Sequence, residues 1–83
     1  MYSINILRRA VKEIAALPDH YPRLIAQHID NLGSNPRPLG SKKLEAGLGY
    51  SLRVGDYRIL YRMDDRTQTV TVWRVKHRRE AYR

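Results

Sequence analysis

The stretch Tyr50-Ser51-Leu52-Arg53-Val54-Gly55-Asp56-Tyr57-Arg58-Ile59-Leu60-Tyr61 decides the fold. Tyr50, Leu52 and Val54 alternate with Ser51 and Arg53. Tyr57, Ile59 and Tyr61 alternate with Arg58 and Leu60. A period of two is that of a strand with one face buried. Gly55-Asp56 between the two runs is a two-residue hairpin turn signal. A two-residue turn fixes the pairing: Val54 faces Tyr57, Arg53 faces Arg58, and Leu52 faces Ile59.

Downstream, Asp64-Asp65-Arg66-Thr67 reads as a second turn and Thr69 to Val75 as a third strand. A turn centred on Asp65-Arg66 sets Ile59 against Val72, Tyr61 against Val70 and Arg58 against Trp73. Both registers predict the same faces. Leu52, Val54, Tyr57, Ile59, Tyr61, Val70 and Val72 share the core side; Arg53, Arg58, Arg62 and Trp73 share the other. A slip of one residue would bury the arginines, which argues against it.

Upstream, Tyr2 to Leu7 alternates and reads as a short strand. Leu7, Ala10, Val11, Ile14, Ala15 and Leu17 fall at helical spacing, and Pro18 ends the run. Asp19 is the expected N-cap of a second helix, with Pro22 in its first turn. Tyr21, Leu24, Ile25, His28, Ile29 and Leu32 are its apolar stripe, and Gly33 its stop. Leu39 to Gly49 reads as a loop with a short strand around Lys43 to Glu45. The expected class is α+β: an N-terminal strand, an antiparallel two-helix hairpin, then an antiparallel β-meander with a short basic tail. Residues 1–83 make one domain.

Composition bounds the function. There is no cysteine, so neither a disulfide framework nor a thiolate metal site is available. The three histidines lack metal-ligand spacing, so no metal and no cofactor is expected. No secretory leader or membrane-spanning stretch is recognisable, and the expected location is the cytoplasm. Sixteen Lys+Arg against eight Asp+Glu give a net charge of +8. From residue 74 to residue 83, Arg74, Lys76, Arg78, Arg79 and Arg83 stand against Glu80 alone. Such clustering suits a polyanion. Two arginines opposed across a strand pair destabilise each other by up to about 1 kcal/mol. Beside an aromatic ring they suit a site for phosphate and base; the alternative is a solvated sheet face with acids nearby.

The run from Tyr50 to Tyr61, followed by Val75-Lys76-His77-Arg78-Arg79-Glu80-Ala81-Tyr82, resembles the RelE family of toxins from bacterial and archaeal type II toxin–antitoxin modules. Asn35-Pro36-Arg37-Pro38 with Lys42-Lys43-Leu44 is similar to a loop of that family, and the resemblance covers nearly the whole chain. It implies a ribosome-dependent endoribonuclease that cuts mRNA in the A site without a metal, by attack of the ribose 2′-OH on the adjacent phosphate. It also implies a cognate acidic or amphipathic antitoxin, with contact to operator DNA only through that antitoxin. Arg53, Arg58, Arg78 and Tyr82 match the family's site residues. At one position the chain departs: Ser51 stands where some members carry lysine, and serine supplies no cation.

The reaction needs a base, an acid and charge stabilisation of the phosphorane. Arginine supplies the last, and is a poor proton carrier because it does not lose its charge. His77 is the one histidine in the basic cluster and a candidate base or acid; the alternative is a cap on the tail. Tyr82 is a stacking platform, a proton carrier or an apolar anchor. Lys42, Lys43, Arg62, Trp73, Arg79 and Arg83 are candidate RNA contacts. Lys42 and Lys43 also read as solvated loop charges, and Trp73 as a partner for Arg58 or a half-buried ring. Two other functions fit the same scaffold: a ParE-like toxin that inhibits DNA gyrase without nuclease activity, and a catalytically weak binding module.

Overall fold

The alternation around Gly55-Asp56 folds as its period dictates, and the rest of the chain assembles against it. A computed structural model describes residues 1–80. In chain order the elements are strand β1 (Ser3–Ile6), helix α1 (Arg8–Ala15), helix α2 (Tyr21–Leu32), strand β2 (Ser41–Lys43), a 3-10 turn (Glu45–Gly47), and strands β3 (Tyr50–Val54), β4 (Tyr57–Asp64) and β5 (Thr69–His77). The sheet order is β1-β5-β4-β3-β2. The meander β3-β4-β5 is antiparallel, β2 adds antiparallel to β3, and β1 runs parallel to β5. The α+β class is as expected, and β1 makes the sheet mixed.

The first hairpin has the predicted register, with Val54 opposite Tyr57, Arg53 opposite Arg58 and Leu52 opposite Ile59. Gly55 has φ 59, a conformation that favours glycine. A Cβ there would lie 2.4 Å from the Tyr21 hydroxyl. That hydroxyl accepts a 3.3 Å hydrogen bond from the Asp56 N–H. The turn is thus tight both by backbone conformation and by docking against α2.

The second hairpin departs from the predicted register. Asp64 pairs with Thr69, so the loop holds four residues. Asp64 Oδ1 accepts from the N–H groups of Arg66 (2.9 Å) and Thr67 (3.2 Å). Tyr61 lies opposite Val72, not Val70, and Leu60 opposite Arg74, with the ladder broken between Leu60 and Tyr61. Trp73 is therefore the extra residue of a β-bulge, which puts two residues of one strand against one of the other. Beyond it, Ile59 opposes Val75 and not Val72; Arg58 opposes Lys76 and not Trp73. The bulge advances the pleat by one residue, so Val70 and Val72 before it and Val75 after it all enter the core.

The core lies between the two helices and one face of the sheet. Ile25, Ile29 and Leu32 from α2 and Ala10 from α1 meet Leu52, Val54, Ile59, Tyr61, Val70, Val72 and Val75. Each fully buried aliphatic side chain contributes about 1.5–3 kcal/mol. Tyr61 is fully buried, and its hydroxyl donates to the Pro36 carbonyl at 2.8 Å. That bond ties the Asn35–Pro38 loop to the sheet, and burial raises the Tyr61 pKa. Arg37 in the same loop pairs with Asp65 at 2.9 Å, and Tyr2 donates to the other oxygen of that carboxylate. These two hydrogen bonds, Tyr2's first, hold the Asp65 carboxyl below its usual range.

Several local readings shift. Leu7 and Val11 are 42% and 50% exposed, so α1 buries only the Ala10 side of its stripe. His20, not Asp19, is the N-cap of α2; Asp19 has φ 56. The middle strand is Ser41–Lys43, two residues earlier than expected, and Glu45 begins a 3-10 turn. Gly33 has φ −62, so its role is close approach: a Cβ would sit 3.2 Å from the Tyr2 carbonyl.

Candidate functional site

The face of the sheet turned away from the helices carries the cations. Across β3, β4 and β5 the register lines up Arg53, Arg58 and Lys76 in one row. Adjacent strands are about 4.8 Å apart, so three cations span roughly 10 Å. The next row along the same face is Lys42, Ser51, Leu60 and Arg74. Further along, Arg62 opposes Thr71, and its guanidinium lies 5.1 Å from the centroid of the Trp73 ring. Trp73 thus stacks with Arg62, and the bulge puts Lys76 rather than Trp73 opposite Arg58 in the ladder.

Among the described residues, the ion pairs in this region lie at its margins. Glu13 of α1 takes Arg74, with Oε2 accepting from Nε at 2.8 Å and pairing with Nη2 at 2.8 Å. Its Oε1 accepts from the Val75 N–H at 2.9 Å. β1 ends opposite Val72, so Glu13 takes the place of a neighbouring strand for the next stretch of the β5 edge. Arg74 is thereby neutralised. Arg53 donates from Nε to the Gly55 carbonyl at 3.0 Å, and among the described residues no acid pairs with it. Among the described residues neither Arg53 nor Lys76 forms an ion pair.

The structure brings some predicted residues together and separates others. Arg78 joins the Arg53–Arg58 end of the sheet: its N–H donates to the Asp56 carbonyl at 2.7 Å, and its Nε lies 3.9 Å from Asp56 Oδ1. His77 faces the helix side, opposite Tyr57 in the ladder, with its ring edge-on to Tyr57 at 5.4 Å. Its Nδ1 accepts from the Arg79 N–H at 3.3 Å. His77 lines a cleft of about 410 Å³ at the β5 edge with Glu13, Leu17, Tyr57, Lys76 and Glu80. Lys42 lies on the cationic face and Lys43, opposite Tyr50, on the other. Arg79 is exposed in the turn after β5. Tyr82 and Arg83 lie outside the described residues.

The alignment of Lys76 with Arg58 is not readable from the sequence, because the phase change at Trp73 has no period-two signature. Ser51 is 2% exposed, and its Oγ has no hydrogen-bond partner among the described residues; the same holds for the buried Trp73 Nε1. No cluster of three or more His, Asp or Glu able to hold a metal ion occurs among the described residues. No described helix is long and apolar enough to cross a membrane.

The family model for the ParE toxin of the type II toxin–antitoxin system parDE matches residues 4–82. The chain belongs to the RelE/ParE superfamily of type II toxins. It is 33% identical over 87 residues to toxin RelG of Mycobacterium tuberculosis (strain ATCC 25618 / H37Rv), covering 99% of this toxin and 97% of that one. In structure it is similar to the toxin–antitoxin complex RelBE2 from Mycobacterium tuberculosis, with TM-score 0.80 and 31% identity over 93% of this toxin and 98% of that chain. It is likewise similar to the archaeal RelE–RelB complex from Pyrococcus horikoshii OT3, with TM-score 0.83 and 28% identity over 96% and 98% of the two chains. The strand–two-helix–sheet frame of this RelE/ParE toxin thus matches solved toxins held with their antitoxins.

Proposed function

We propose that this toxin is a ribosome-dependent endoribonuclease that cleaves mRNA in the ribosomal A site and thereby stops translation. The observation that carries the reading is the row Arg53–Arg58–Lys76 on the helix-free face. Aligned like charges cost stability. They are useful where a polyanion neutralises them, and a pentacoordinate phosphorane gathers charge on oxygens that guanidiniums bind in pairs. Arg58, at the centre of the row, contacts the phosphorane. Arg53 and Arg78 flank it, and the stacked Arg62–Trp73 pair offers a platform for a base. Lys42 lies directly across from Ser51 and brings a cation beside the position where some relatives of the resembled family carry lysine.

The partner that restrains the toxin is a cognate antitoxin with acidic or amphipathic segments, which would cover the cationic face and offset the +8 charge. The expected setting is the cytoplasm, with operator DNA reached through the antitoxin alone. The test is in-vitro translation with added toxin, followed by mapping of mRNA ends. Cuts within codons that require ribosomes are expected, and Arg58→Ala should lower cleavage by about 100-fold or more. An uncut message, or full cleavage by the variant, would overturn the reading. The description of the matching family model favours a second reading, a ParE-like gyrase inhibitor. That reading requires the purified toxin to block supercoiling with no ribosome present.

A further inference from the structure

We infer that Lys76 is the general acid of the cleavage reaction, donating a proton to the departing 5′-oxygen. The inference rests on the nuclease reading and goes beyond it by assigning one proton. Cleavage forms the 2′-O–P bond and breaks the P–O5′ bond, whose electron pair goes to O5′. An alkoxide is a poor leaving group unless it is protonated as the bond breaks. The 2′-hydroxyl proton passes to water, and the products are a 2′,3′-cyclic phosphate and a 5′-hydroxyl.

Of the three cations in the row, only Lys76 can supply that proton. Arg53 and Arg58 do not release theirs. Lysine carries protons that it can transfer, and its flexible four-carbon stem reaches across one strand spacing to a phosphate held by Arg58. His77 is turned to the helix side, with Nδ1 occupied by the Arg79 N–H. Lys42 lies in the next row, on the second strand from Arg58. Among the described residues, the charged and titratable groups around Lys76 are Arg58 across the ladder, Arg74 on its own strand paired with Glu13 of α1, and His77 and Glu80 along the chain. No ion pair immobilises the Lys76 ammonium among the described residues.

Single-turnover cleavage on programmed ribosomes tests the assignment, using ordinary mRNA and mRNA with sulfur in place of the 5′-bridging oxygen at the mapped cut. A thiolate leaves without a proton. Lys76→Arg keeps the charge and the donors but cannot act as an acid. It should lose about 100-fold or more on ordinary mRNA and cleave the sulfur-containing mRNA at close to the wild-type rate. Lys76→Gln should show the same selective rescue above a general loss from the missing charge. Cleavage of the sulfur-containing message also reports that each variant is folded. Wild-type cleavage of ordinary mRNA by Lys76→Arg, or equal losses on both messages, would overturn the inference. Arg58→Ala should lose on both alike. If wild-type toxin cuts neither message, the nuclease reading falls, and this assignment with it.

Discussion

Gly49 and Gly55 show how single positions hold the cationic hairpin in shape. Gly49 has φ 96, and a Cβ there would lie 2.2 Å from the Tyr61 carbonyl oxygen. At Gly55 the obstacle is the Tyr21 hydroxyl, the far end of a side chain that can move. Both glycines sit in strained regions for an L side chain, worth about 1–3 kcal/mol. Gly49→Ala is therefore expected to destabilise more than Gly55→Ala, because a backbone neighbour cannot swing aside. Urea unfolding of the two variants checks the order. Arg53 and Arg58 were legible as a pair because a two-residue turn leaves no freedom of register. Lys76 was not, because nothing local marks Trp73 as an extra residue. His77 was readable as part of a basic tail, but which face it takes depends on that same bulge.

At the scale of elements, the β5 edge depends on α1. β1 ends opposite Val72, and the Glu13 carboxylate takes up the Val75 N–H and Arg74 beyond it. Glu13→Ala is expected to cost on the order of 2–3 kcal/mol, since hydrogen bonds to a charged group are lost and a shielded cation is left unpaired. Its amide hydrogens from Trp73 to His77 should exchange faster than those of β4, and hydrogen-exchange measurements check this. Alternation located β3 and β4, and helical spacing located both helices. The N-cap of α2 and the bounds of β2 were less legible. Asp19 adopts a left-handed conformation in the link between the helices, and β2 exists only where β3 offers it a partner.

For the molecule as a whole, two solution properties follow. Asp65 is held below its usual carboxylate range by Tyr2 and then Arg37. A carboxyl with a depressed folded pKa binds its proton more readily when unfolded. Its contribution is therefore complete above the unfolded value, about 3.9, and is lost as pH falls through the folded value. Tm measured from pH 2 to pH 6 should fall on the acid side, and Asp65→Asn should flatten part of that fall. The cationic face should also make RNA affinity depend on salt. Neutralising three phosphates with Arg53, Arg58 and Lys76 contributes a slope of about −2 in log K against log salt for a single strand. A variant with all three changed to glutamine should lose that part of the slope in a fluorescence titration.

The sequence by itself determined the α+β order, the Arg53–Arg58 pair, the helix stripes and the excess of positive charge, and it carried the resemblance to RelE toxins. These rest on local periodicity, turn chemistry and composition, which each segment holds on its own. The tertiary structure decided which further cations join that pair. The bulge at Trp73 resets the pleat so that Val75 completes the core while Lys76 lines up with Arg58. It also turned His77 toward Tyr57 and set Glu13 against Arg74 and the β5 edge. Those outcomes depend on how many residues of one strand oppose the next, and that count is settled by packing the whole core rather than by any one segment.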